Sequence, residues 1–231
     1  MELLKCQNVS KSFGNKQILK DINLTIPKGK IIGLLGKNGT GKSTLIKLCN
    51  DLLTLDKGKI LINGKEIGIE SKKIISYLPE RTYLDKTLTV DEVIKYFENF
   101  YENFNTKKAR KLLQDLGLDT KLKLSKMSKG MQEKVQLVLV MSREAELYIL
   151  DEPLGGVDPA TRDYILDTIL SNFNEGASVL ISTHLIQDIE RILDEVIFID
   201  KGKIILQSDT DTLRNKENSS IDEIFRRMFK C

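Results

Sequence analysis

The chain has 231 residues, 41% hydrophobic and 30% charged, with a formal net charge of +3. That length supports one large domain or a core with a lobe, and no apolar run approaches the roughly 18 residues of a membrane-spanning helix. Lysines are interleaved with acids, so the small positive balance carries no nucleic-acid footprint and supports at most a modest attraction to anionic lipid.

In chain order, Met1-Glu2-Leu3-Leu4-Lys5 lacks the basic start and apolar core of a secretory signal, and a cytosolic chain is expected. Alternating runs at residues 3–9, 17–19 and 22–26, broken at Phe13-Gly14-Asn15 and Pro27-Lys28-Gly29, predict antiparallel strands with turns. An apolar run, Ile31-Ile32-Gly33-Leu34-Leu35, then leads into Gly36-Lys37-Asn38-Gly39-Thr40-Gly41-Lys42-Ser43, and residues 44–50 continue as a short helix. Residues 59–62, running into an Asn63-Gly64 turn, and residues 74–78 read as strands. Between 89 and 116 the periodicity is helical: Val90, Val93, Ile94 and Phe97, then Ala109, Leu112, Leu113 and Leu116, recur at three- and four-residue steps. A helical insert over about 86–142 is expected, ending in a nearly all-apolar helix at 131–141. Buried strands at 147–150 and 179–182 alternate with helices at 160–173 and through Ile186, Ile189 and Leu193, which predicts a largely parallel sheet. A hairpin at 196–206 completes a first unit, 1–207, and residues 208–231 read as a polar linker and an amphipathic helix around Ile221, Ile224, Phe225 and Phe229. The expected class is α/β: a mainly parallel phosphate-loop core with an antiparallel N-terminal sheet and an α-helical insert. Cys6, Cys49 and Cys231 are odd in number and outside metal-ligand spacing, so neither a disulfide framework nor a zinc site is expected.

Residues 36–43 match G-x-x-x-x-G-K-[ST] directly after an apolar strand, the context that this motif requires. Glycines let successive N–H groups turn toward phosphate oxygens, Lys42 reaches the β- and γ-phosphates, and the Ser43 hydroxyl ligates Mg²⁺. Asp151 ends an apolar strand and is placed to hold Mg²⁺, while Glu152 is the candidate base that polarises the attacking water. His184, the one histidine, follows the next strand; taken alone it reads more readily as a capping or packing residue than as a functional one. Met127-Ser128-Lys129-Gly130-Met131-Gln132 opens a buried helix and offers a second anion-binding helix end. Two such ends in one chain suggest that two copies face each other, each lending this end to the other's nucleotide.

Over residues 3–207 this ordered set resembles the nucleotide-binding subunit of ATP-binding cassette (ABC) transporters. The resemblance implies that Phe13 stacks on adenine and that Gly36, Lys37, Asn38, Gly39, Thr40, Gly41, Lys42, Ser43 and Thr44 cradle ATP. It implies that Ser128 and Gly130 reach the partner's nucleotide, that Asp158 couples the two sites, and that His184 contacts the γ-phosphate. Where the family's signature reads Leu-Ser-Gly-Gly-Gln, this chain has Met127, Lys129 and Met131 at three of the five positions. Glu80, where glutamine is common, can meet Mg²⁺ through water, and its presence resembles the bacterial export-type subfamily. The implied assembly is a homodimer or a pair with a related ATPase subunit, peripheral at the cytoplasmic face of the membrane, driving a separate integral membrane permease. Other readings are a soluble cassette ATPase acting on ribosomes or nucleic acid, a binding-only subunit, and a GTPase. The last would need Asn-Lys-x-Asp, and Asn215-Lys216-Glu217-Asn218 ends in the wrong residue.

Overall fold

The computed structural model describes residues 1–155 and 157–229; Cys231 lies outside them. Two twelve-residue strands, β1 (Glu2–Phe13) and β2 (Lys16–Pro27), pair antiparallel where shorter strands were expected. Register shifts between Cys6 and Lys11, with Asn8 and Asp21 at positive φ, interrupt the alternation without ending the ladder. β4 (Lys57–Ile62) and β5 (Lys65–Glu66) extend this sheet in the order β2-β1-β4-β5.

The second sheet carries the core. β3 (Ile31–Leu35) leads through the glycine loop to α1 (Lys42–Cys49), and α2 (Ile69–Ile74) leads to β6 (Ile75–Leu78). β7 (Leu147–Asp151), α6 (Pro159–Asn172), β8 (Ser178–Thr183), α7 (Ile186–Ile189), β9 (Glu195–Asp200) and β10 (Lys203–Asp209) follow. Strand order is β10-β9-β3-β8-β7-β6, parallel except for the β9–β10 hairpin, as the alternation of strand and helix predicts. β3, β7 and β8 are buried along their whole length, which explains their unbroken apolar runs.

The insert consists of α3 (Val90–Phe100), α4 (Thr106–Asp115) and α5 (Lys129–Met141) around a core of its own that includes Val93, Phe97, Leu113 and Val138. α3 is started by a capping box in which the Thr89 N–H donates to Glu92 Oε2 at 2.7 Å and the Glu92 N–H returns to Thr89 Oγ1 at 3.3 Å. α5 packs on both cores, with Val135 and Leu139 toward the insert and Leu137 and Met141 toward the sheet. It begins two residues before the apolar stretch, because Ser128 caps it by accepting from the Met131 N–H at 3.3 Å.

Two expectations are corrected. The helix foreseen through Leu193 ends at Ile189 and passes through a tight turn at Glu190–Ile192, since the chain must deliver Asp194 to Ile31, whose N–H donates to Asp194 Oδ2 at 2.7 Å. The polar linker after residue 207 is instead the end of β10 and a helix, α8 (Thr210–Glu217), capped by Asp209 and ended by Asn218 in the left-handed region. α9 (Ile221–Phe229) follows and buries Ile221, Ile224 and Phe225 in the main core.

Candidate functional site

Parallel register brings three strand ends to one edge of the sheet. Leu35 pairs with Thr183 and Asp151 with Ser182, so the glycine loop, Asp151-Glu152 and His184 emerge side by side at the carboxyl edge, where ligands collect. The loop admits no side chain at its bends. A Cβ at Gly36 would lie 2.6 Å from the Ile199 carbonyl oxygen, and one at Gly41, where φ is +111°, would lie 2.7 Å from Leu19. Inside the loop Thr40 Oγ1 donates to the Lys37 carbonyl at 2.8 Å, and Lys42 Nζ donates to the carbonyls of Gly36 at 2.7 Å and Lys37 at 3.3 Å. No side chain caps α1 at Gly41, which suits a first turn whose N–H groups receive an anion.

Asp151 Oδ1 accepts from Ser182 Oγ at 2.6 Å and Ser43 Oγ at 3.2 Å. Burial pushes its carboxyl above the usual carboxylate range; the two hydroxyls oppose that rise and the charges of Glu152 and Glu80 add to it. Glu152 sits at φ +50°, an uncommon backbone state for a residue with a side chain and one that clusters at functional sites. Its N–H donates to the Ser182 carbonyl at 3.0 Å. Its carboxylate is held from both sides, Oε1 by Lys42 Nζ at 3.2 Å and Oε2 by His184 Nδ1 at 3.0 Å. Because a carboxylate only accepts, Nδ1 is the protonated nitrogen of that pair. Ser182 is a site residue that sequence reading misses, since a serine ending an apolar strand reads as a terminus.

These groups line or underlie a cleft of about 1220 Å³. Asn38, Gly39, Gly41, Lys42, Ser43, Thr44, Glu80, Glu152 and His184 line it, joined by Lys16, Ile18, Arg81, Thr82 and Lys86, which no motif marks. Gly36, Lys37 and Thr40 shape the loop without lining the cleft. Phe13 also stays off the wall: it is half exposed at the end of β1, paired with Lys16, and Lys11 Nζ lies 5.5 Å from its ring centroid. Asp158 caps α6, accepting from the Thr161 N–H at 3.1 Å and Thr161 Oγ1 at 2.7 Å, outside the cleft. Ser128 caps α5 and Gly130 faces open space, while Lys129, Gln132 and Glu133 of the same helix line the cleft within one chain. Among the described residues no three His, Cys, Asp or Glu side chains gather into a metal cage. The juxtaposed oxygens of Ser43 and Asp151 do suit Mg²⁺, which takes one or two protein ligands and completes its shell with phosphate and water.

Residues 19–155 match the family described as ABC transporter. The chain belongs to the ABC transporter ATP-binding family. It is 33% identical to the lantibiotic transport ATP-binding protein SrtF of Streptococcus pyogenes over 217 residues, 93% of this chain and 94% of that one. Identity is also 33% with the linearmycin resistance ATP-binding protein LnrL of Bacillus subtilis, over 88% of this chain and 68% of that protein. A solved ATP-binding subunit of an ABC transporter superposes with a TM-score of 0.89 at 29% identity, covering 98% of this chain and 99% of that one. The protein is thus an ABC ATPase that binds ATP with Mg²⁺ and serves transport, and its mixed fold, with antiparallel and parallel sheets, is the cassette fold. Action on ribosomes or nucleic acid is not supported. As in other ABC ATP-binding subunits, no helix among the described residues is long and apolar enough to cross a membrane.

Proposed function

We propose that this ABC subunit hydrolyses ATP with Glu152 as the base, in a site completed by a second copy, and drives an export permease. The carrying observation is the position of Glu152 between Lys42 and His184. When a triphosphate enters the loop, its oxygens compete for the Lys42 ammonium, which releases Glu152 Oε1 to accept the proton of the attacking water. Water oxygen bonds to the γ-phosphorus as the bond to the β-phosphate oxygen breaks, and the negative charge of the transferring group falls on Lys42, the α1 amides and His184. Ser43 and Asp151 would hold Mg²⁺, with Glu80 near enough to reach it through water, and the bound ion would supply charge neutralisation at the phosphates.

The supports for a paired site are the Ser128-capped helix end and the open face at Gly130, where an added Cβ would meet nothing within 4 Å. There a second subunit's triphosphate can meet amides, the Ser128 hydroxyl and the Lys129 ammonium. Asp158 and Phe13, both exposed, are read as dimer-coupling and adenine-stacking residues. A permease segment docks in the groove between insert and core, where Leu52, Tyr83, Phe100 and Tyr101 form an apolar wall beside Lys47 and Arg143. On this reading the subunit is peripheral, at the cytoplasmic face of the membrane.

Glu152→Gln tests the assignment. It keeps the shape of the side chain and one acceptor oxygen while removing its basicity. ATPase activity should fall by about 10²–10⁴-fold with ATP binding retained; undiminished hydrolysis would remove Glu152 from the reaction.

A further inference from the structure

The terminal helix meets the nucleotide site at two points, one at a variable position of the phosphate loop and one behind His184. At its last described turn Lys37 Nζ donates to the Phe229 carbonyl at 3.0 Å. That bond satisfies a carbonyl at the helix end and sets a cation against the negative end of the helix dipole. Lys37 belongs to the phosphate loop, and its own carbonyl accepts from Thr40 Oγ1 and Lys42 Nζ. One residue therefore joins α9 to the backbone that orients Lys42.

At the other end, Asp222 Oδ2 accepts from Gln187 Nε2 at 2.8 Å, and the Asp222 N–H donates to Glu190 Oε2 at 3.1 Å. Arg226 Nε, one turn on, pairs with the same carboxylate at 2.8 Å and fixes its direction. Gln187 stands three positions after His184. Between these ties, Phe225 and Phe229 stack with centroids 4.1 Å apart and meet Phe198 edge-on. Phe198 pairs with Leu35, the residue that enters the loop.

We propose that α9 is a brace for the nucleotide site, with Lys37 and Asp222 as positioning residues: one holds the phosphate loop, the other the segment behind His184. This rests on the reading of that loop as the ATP site. Both groups that meet the terminal phosphate are then set by one helix, so a shift of α9 reaches affinity through the loop and turnover through the histidine.

The test uses the full chain, a fluorescent ATP analogue with Mg²⁺, and a double-mutant cycle. Lys37→Met, which removes the donor, should raise Kd roughly three- to tenfold, the range for one charge-assisted hydrogen bond. Phe229→Ala, which keeps the accepting carbonyl but removes the ring stack that positions it, should shift Kd in the same direction. The double variant should be no weaker than the weaker single one, and Lys37→Arg should restore wild-type affinity. Asp222→Asn should lower kcat while leaving Kd within about twofold of wild type. Additive effects in the cycle, or an unchanged Kd in Lys37→Met, would overturn the brace at the loop. An unchanged kcat in Asp222→Asn would overturn it at His184. Failure of the wild-type chain to bind the analogue would instead overturn the site assignment itself.

Discussion

Asp151 shows at the scale of one residue how the site trades stability for chemistry. Burial raises its folded-state pKa above the unfolded value, so the carboxylate is penalised only in the folded chain. That penalty is absent below the unfolded carboxylate range and grows as pH rises through the folded pKa. Asp151→Asn keeps an oxygen for Ser43 and Ser182 and removes the buried charge. We predict that its Tm at pH 7 exceeds that of the wild type by about 2–4 °C per kcal/mol relieved, with the gain shrinking toward pH 4. ATP hydrolysis should be lost at the same time. A lower Tm at pH 7 would contradict the account of this carboxyl. Of the residues the proposed mechanism uses at the phosphates, Lys42, Ser43, Asp151 and Glu152 are legible in the sequence from their spacing around strand ends, and His184 only through the resemblance of the whole ordered set. Ser182 is not, since it acts through Asp151, which the sheet brings from a neighbouring strand, and Arg81 lines the cleft without belonging to any motif.

Elements differ in how openly the sequence declares them. β3, β7 and β8 are unbroken apolar runs and α3 carries a capping box, so their type and place can be read directly. α8 is nearly all polar, with Leu213 as its buried apolar residue, and composition makes it look like linker. Its termini, Asp209 and Asn218, are the legible signals, because they cap the helix at both ends. α9 does carry an apolar face, but periodicity alone could not say what that face meets. It meets the chain's own core through Ile221, Ile224 and Phe225. Phe225→Ala should therefore destabilise the isolated subunit by roughly 3–5 kcal/mol, lowering Tm by roughly 10 °C or more. A Tm within 2 °C or so of wild type would mean that the helix is held mainly by a partner instead.

On the scale of the whole molecule, the sheet edge and the insert converge on one cleft, and α9 touches the phosphate loop beside it. The core supplies the phosphate loop and both carboxylates, and the insert closes one wall with Lys129, Gln132 and Glu133. Ser128 and Gly130 do not line that cleft, and Gly130 faces open space, which leaves this helix end open to the second copy of the proposed site. The most direct measurement is the mass in solution of full-length Glu152→Gln with and without MgATP, by light scattering coupled to size exclusion. A shared site requires 26.2 kDa without nucleotide and a doubling with it, reversed by Ser128→Arg. A Glu152→Gln chain that binds MgATP and stays at 26.2 kDa, alongside a wild type whose specific ATPase activity is independent of protein concentration, would contradict the shared site.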